Sequence, residues 1–341
     1  MYDRSKCVLC GQCRDRCLYI GYEPGTGAAA WKKLVNGEPV SWLSQCITCF
    51  ACNEYCPHGA RPFDLILQRM EERGDYVDPQ LLSMAQQMFT PRKPFTPPQA
   101  GRQALSLCTI YTTIPWAFSG SLFEGLTPLK GTHFFCNLIY PHMGNETLMR
   151  ERLAPLIDRY ASTGVEEIVF VHDDCYAVMT DAADRFGLKL PFKPVHLFEH
   201  LRDRLRARQA DIQPLNLKVA YQRPCASRLT PWKEPLLDEI FELIGLTRVN
   251  RRYDRDNAMC CGQDMHGIQK RGDKFPAFKM ENIRDARQAG AEAMVYLCPM
   301  CLDALGKPAR ENGLRNYMIS DLCRLAVGET LPDEANQVLY G

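Results

Sequence analysis

The chain has no excess charge of either sign: 41 lysines and arginines balance 40 aspartates and glutamates across 341 residues. That balance excludes the basic stripe of a nucleic-acid binder and the cationic face that holds a protein to an anionic membrane. A clean membrane-spanning run is also missing. The candidate, 21 uncharged residues between Arg102 and Glu124, is long enough to cross a bilayer but is interrupted by Pro115, Gly120, three serines and three threonines. It reads as a strand, a break and another short element. There is no P-loop, no G-x-G-x-x-G, no Ser-His-Asp set and no paired carboxylates, so hydride chemistry must sit on a partner. No apolar leader precedes the first cysteine at position 7.

Cysteine is what the chain has in abundance, with 17 in all. They fall in C-x2-C units, which suit metal sites better than disulfides, and predict a reducing, cytoplasmic setting. The length allows two or three domains. In the first, residues 1–75, Cys7, Cys10, Cys13 and Cys17 form a C-x2-C-x2-C-x3-C run. Cys46, Cys49, Cys52 and Cys56 repeat it and are followed by Pro57; Leu18 stands at the matching place in the first copy. This resembles the bacterial ferredoxin motif for two [4Fe-4S] clusters, in which the fourth cysteine of each run ligates the other cluster. The resemblance implies Cys7, Cys10, Cys13 and Cys56 on one cluster and Cys46, Cys49, Cys52 and Cys17 on the second. Zinc knuckles would leave the x3 spacings unexplained. The 28-residue insert between the runs and a helix over Asp64–Arg73 resemble the helical ferredoxin domain found in the ferredoxin-type component of heterodisulfide reductase.

Residues 76–100 contain five prolines and read as a short helix followed by an extended linker. Beyond them lies an internal repeat. Gly164-Val-Glu-Glu-Ile-Val-Phe-Val-His172-Asp-Asp-Cys175 aligns with Gly290-Ala-Glu-Ala-Met-Val-Tyr-Leu-Cys298-Pro-Met-Cys301 at an offset of 126. Each copy reads as helix, apolar strand, metal loop, helix. This predicts a multidomain chain, an α-helical ferredoxin-like domain followed by two α/β repeats with largely parallel sheets, at 101–208 and 215–328. Sites in such sheets collect at strand C-terminal ends, where these cysteines fall.

The second copy carries five thiols on three loops: Cys225, then Cys260 and Cys261 after 34 residues, then Cys298 and Cys301 after 36 more. Gly262 supplies the backbone freedom needed to turn two neighbouring side chains onto one centre. Taken alone, Cys298-Pro-Met-Cys301 resembles a thioredoxin-type redox pair, but that leaves three cysteines idle. A vicinal disulfide and a four-cysteine cubane are the other readings. The full spacing resembles the CCG module of heterodisulfide reductase, which implies a noncubane [4Fe-4S] cluster on all five. His266 is a candidate proton donor to a nascent thiolate. Arg223, Arg228, Arg251, Arg252 and Arg255 surround the motif; all but Arg223 read as solvated surface charge.

The first copy is degenerate. Phe135 and Asn137 flank Cys136 where the second copy has Cys260 and Gly262, and His172 stands for Cys298. Cys108, Cys136, His172 and Cys175 make either a Cys3His zinc site or a lost site with buried free cysteines. The whole resembles a fusion of the ferredoxin-type and CCG-type components of heterodisulfide reductase. That implies a redox subunit passing electrons through two cubanes to or from a noncubane cluster that reduces a disulfide or thiol substrate. Its setting would be a hetero-oligomer with the flavin-containing component of that enzyme or another flavoprotein. The alternative is a pure electron-transfer subunit linking a flavin dehydrogenase to a quinone.

Overall fold

The computed structural model describes residues 1–23, 25–263 and 275–335. The N-terminal region is helical, with its longest pieces at Gly27–Val35, Pro62–Arg73 and Pro79–Phe89. Pro62 and Pro79 sit in the first turn of their helices, where a missing N–H costs nothing. Asp78 caps the last helix by accepting from the Gln80 N–H at 2.9 Å. The short helix expected at the start of residues 76–100 is this three-turn element, and the proline-rich half follows it.

Among the described residues eight strands follow: β1 (Gln103–Cys108), β2 (Thr127–Lys130), β3 (Glu167–Phe170), β4 (Lys193–His196), β5 (Leu217–Gln222), β6 (Leu246–Arg248), β7 (Ala293–Tyr296) and β8 (Arg315–Met318). They form two four-stranded sheets, ordered β2-β1-β3-β4 and β6-β5-β7-β8, in which every pairing is parallel. The two sheets have one topology, and β3 and β7 lie 126 residues apart, the offset of the sequence repeat. In each sheet the chain winds outward both ways from a central strand, β1 or β5. Loops diverge at that switch point and leave a crevice at the strand C-termini. The uncharged stretch after Arg102 is β1 followed by three single-turn 3-10 segments, and no helix among the described residues is long and apolar enough to cross a membrane.

Alternation along the strands explains the packing. Leu105, Leu107, Val169 and Val171 turn to one face of the first sheet and share a buried cluster with Val219, Tyr221 and Val295 of the second. Ala104, Cys108, Ile168 and Phe170 turn to the other face, into a cluster that also holds Trp31, Leu34, Phe63, Ile66 and Met70 of the helical region. The helical region is thus packed into the first sheet, although the prolines between them suggested separate units. Polar contacts follow the same seam. Arg61 makes a bidentate pair with Asp181 at 2.8 and 2.9 Å, and the Glu71 carboxylate accepts from the Glu146 N–H at 3.0 Å.

Candidate metal centres

The two cysteine runs fold into matching loops. Leu9 and Thr48, each two residues past the first cysteine, take φ of 59° and 55°. Gly11 and Phe50, directly after the second cysteine, take 79° and 61°. Left-handed Leu, Thr and Phe are costly and cluster where function demands a particular loop. N–H groups point at the sulfurs: Trp31 Nε1 donates to Cys7 at 3.2 Å, Thr48 N to Cys46 at 3.5 Å and Ala60 N to Cys56 at 3.4 Å. Cys17 lies among Cys46, Cys49 and Cys52, while Cys13 has Cys52, Cys56 and Cys10 around it.

Arg14 decides what the inner group of thiols can hold. Its side chain is 1 % exposed, its guanidinium stacks 4.5 Å above the Trp42 ring, and Nε and Nη1 have no hydrogen-bond partner. Around it stand Cys52, Cys17 and Cys46. A buried cation ringed by thiols needs an anion, and a metal–thiolate cluster is one. The donor set and the orphaned guanidinium both fit an iron–sulfur group.

A packed patch joins this group to the second sheet. Tyr19, Ile47, Tyr253, Met259 and Cys260 are buried together, with Cys17, Cys49 and Cys225 against them. The Cys260 N–H donates to the Tyr19 hydroxyl at 2.5 Å. Arg228 lies between Cys49 and Cys225, bonded to Glu54 at 2.7 Å and to the carbonyls of Asp256 and Ala258 at 2.8 and 2.6 Å. Arg223 is 2 % exposed and reaches the same Glu54 at 2.9 Å. Arg228 and Arg251 are buried, contrary to their reading as solvated charge; Arg252 and Arg255 are exposed. Neither Arg14 nor Tyr19 carried a signal in the sequence beyond lying one and two residues after a candidate ligand cysteine.

At the second switch point the five thiols run in sequence: Cys225 against Cys260, Cys260 against Cys261, Cys261 against Cys301, and Cys301 against Cys298. Gly262 is left-handed, at φ 71°, and its N–H donates to Cys260 at 3.4 Å. Hydrogen bonds from Cys260 and Cys301 pull Cys261 down to about 6. The Cys301 hydrogen bond, with the charge of His172 beyond, pulls Cys298 down to about 5. These thiols face a cavity of about 410 Å3 that lies between the two sheets and is lined from the other side by Cys108, Cys136, His172 and Asp174.

The first copy's residues divide. The sulfurs of Cys108, Cys136 and Cys175 all lie within 4.8 Å of one another, buried. His172 is not with them. It points across to Cys298 of the other copy, 3.7 Å from Asp174, and although burial opposes its charge these two neighbours hold it up to about 10. His266 lies outside the described residues. One residue along, Asp173 is fully buried and takes His196 Nε2 at 3.0 Å, Ser227 Oγ at 2.7 Å and Lys233 Nζ at 2.8 Å. It joins the first copy to the second.

Three loops of the second copy deliver its five cysteines, one from the first and two from each of the others. Residues 219–306 match the CCG cysteine-rich domain. The CCG match runs from within β5 to within the helix that carries Cys301 and takes in all five thiols. A crystal structure of a hypothetical protein from Helicobacter pylori shares the fold, with a TM-score of 0.59 at 11% identity over 93% of this chain and 69% of that one. An aspartate racemase homologue from Pyrococcus horikoshii matches at a TM-score of 0.31 and 11% identity, over 66% of this chain and 96% of its own. The CCG domain and the clustered cysteines indicate an iron–sulfur, electron-transferring role.

Proposed function

We propose that this chain is the iron–sulfur redox subunit of a heterodisulfide-reductase-like complex that acts on a disulfide or thiol substrate. In this reading Cys7, Cys10, Cys13 and Cys56 hold an outer cubane, and Cys17, Cys46, Cys49 and Cys52 an inner one. Cys225, Cys260, Cys261, Cys298 and Cys301 hold the noncubane cluster of the CCG domain. The reading rests on one observation: the inner cysteines and the CCG cysteines share a single packed patch through Tyr19, Ile47 and Met259. Bound clusters supply one-electron chemistry at potentials set by charge, hydrogen bonding and exposure.

The protein does the rest. Arg14 and Arg228 place buried positive charge against the ligand sulfurs, and N–H donors from Thr48, Ala60 and Gly262 spread their negative charge. Ile47, Met259 and Tyr253 keep water from between the two sets. His172 holds a proton at the cavity edge beside Cys298. A flavoprotein partner accepts the hydride, for which this chain has no motif. One observation favours electron transfer without substrate turnover: Phe135 stands where the first of the paired cysteines would be, so the cavity has five-thiol ligation on one wall only.

Electron paramagnetic resonance of the oxidised protein, with and without a small thiol, separates the two. We expect Cys260→Ser and Cys261→Ser each to abolish a thiol-responsive oxidised signal while the reduced cubane signals persist. If one variant keeps that signal and full iron content, the site is a four-cysteine cubane and the electron-transfer reading replaces the first.

A further inference from the structure

We propose that the Tyr19 hydroxyl, supplied by the helical region, donates a hydrogen bond to the iron–sulfur group of the CCG domain and raises its midpoint potential. The inference rests on the cluster reading above and adds to it a residue from outside the matched domain. Tyr19 is buried, with its ring in the patch against which Cys49, Cys225 and Cys260 pack. Its oxygen accepts the Cys260 N–H at 2.5 Å. That bond uses a lone pair and leaves the hydroxyl proton to be placed. Among the described residues no side chain or carbonyl accepts it. A buried phenol needs a partner for its O–H, because an unmet donor carries its full desolvation cost. The groups around it that can turn anionic are the thiols of Cys260, Cys49 and Cys225. Two of the three belong to the CCG set, and the oxygen already stands on the backbone of Cys260. The acceptor it lacks is the anionic group those thiols hold.

The cysteine run itself does not need this side chain. Tyr19 lies two residues after Cys17, and the same place after Cys56 is taken by His58, which is exposed. Leu18, standing where the second run has Pro57, leaves the backbone free to turn Tyr19 inward. There the ring is clamped from both sides. Phe278, on the helix Phe275–Gln288 of the second copy, meets it edge-on at 5.2 Å. Ile47 of the helical region and Tyr253 and Met259 of the second copy close around it. The hydroxyl therefore keeps one place, and a fixed donor costs no reorganisation when charge arrives.

The sign of the effect follows from charge. An added electron makes the group more negative, and a hydrogen bond donated to it strengthens accordingly. The reduced state gains more than the oxidised one, so the midpoint rises. On the inner side the same task falls to Arg14. Tyr19 thereby sets how far electrons from the inner thiols settle on the CCG side.

The test is a redox titration of the full-length protein, purified without oxygen and followed by paramagnetic resonance. Tyr19→Phe keeps the ring and removes only the hydroxyl. The midpoint of the thiol-responsive oxidised signal is expected to fall, disfavouring reduction about tenfold, or about 60 mV for one electron. The cubane midpoints, iron and sulfide should match wild type. Electron–nuclear double resonance after exchange into heavy water should show one fewer exchangeable proton coupled to that signal. An unmoved or raised midpoint overturns the proposal, as does a shift confined to the cubanes or an unchanged proton coupling. Loss of iron and sulfide overturns it as well, because a hydrogen-bond donor is not a ligand. Those outcomes defeat the role of Tyr19 alone. Wild-type protein without the thiol-responsive signal defeats the cluster reading, and this proposal with it.

Discussion

Arg14 shows how one side chain can commit a site to its contents. An arginine sealed from water costs several kcal/mol unless an anion answers it. Here the neighbours that can do so are Cys52, Cys17 and Cys46, with aromatic rings of Trp42 and Tyr22 on other sides. We expect Arg14→Gln to lower the midpoint potential of the adjacent centre by the equivalent of about 1–3 kcal/mol, the worth of a buried charge-assisted contact. Removing a positive charge disfavours an added electron. Arg14→Lys should restore part of the shift, since it keeps the charge but loses the flat, stacking guanidinium. A redox titration followed by paramagnetic resonance reads both, and an unshifted midpoint in Arg14→Gln would refute the assignment. The cysteines around Arg14 could be read from the sequence because ligand spacing within a loop is written in neighbouring residues. Arg14 itself could not. Its burial depends on Trp42, 28 positions on, folding over it. Arg228 and Arg251 escaped for the same reason: whether an arginine is solvated depends on which distant carbonyl or carboxylate closes on it.

Among elements, the helix Ile319–Ala326 carries an oddity in its first turn. Asp321 is fully buried, neither carboxylate oxygen has a well-formed hydrogen bond, and burial, only partly offset by Arg324, raises it to about 7. A carboxyl raised on folding stabilises the fold fully below its unfolded value near 4. That contribution is lost as pH rises through about 7. At about 1.4 kcal/mol per unit the loss reaches roughly 4 kcal/mol by pH 8, an upper bound once the helix end relaxes. Asp321→Asn should remove this slope and leave the protein more stable than wild type at pH 8, as urea midpoints across the range will show. A wild-type midpoint that does not fall between pH 5 and 8 would sink the expectation. The strands and the duplicated unit were legible, since apolar runs of strand length between helical patterns survive in any context. The helix Pro79–Phe89 was only half legible among so many prolines, because Pro79 starts a helix rather than breaking one. Least legible was the division of the first copy's ligands. Cys108, Cys136 and Cys175 meet because of local loop geometry, but His172 turns towards Cys298, and only the placement of one sheet against the other determines that.

The two copies are locked to each other through Asp173, and at the scale of the whole molecule this knot outweighs any surface pair. Asp173 and Lys233 are 0% and 1% exposed, and Ser227 and His196 fill the remaining hydrogen-bonding positions. Asp173→Asn would leave the Lys233 ammonium buried without its anion, and we expect a loss of about 3–5 kcal/mol in chemical denaturation. The exposed Arg102–Glu166 pair, 82% and 62% accessible, is screened by water, and breaking it should leave the denaturation midpoint nearly unmoved. Equal losses at the two sites would mean that the buried knot is not what joins the sheets. A second lock is apolar: the cluster that runs from Trp31 and Phe63 of the helical region into Ile168 and Phe170 of the first sheet. Its consequence reaches beyond stability. A carrier domain on a tether must swing between donor and acceptor, and its delivery slows as the medium thickens. With the helical region bolted down, the gaps from one cysteine set to the next are constant lengths. On the electron path proposed above, solvent drag would have no grip on the passage inside, and docking of the proposed partners would set the pace.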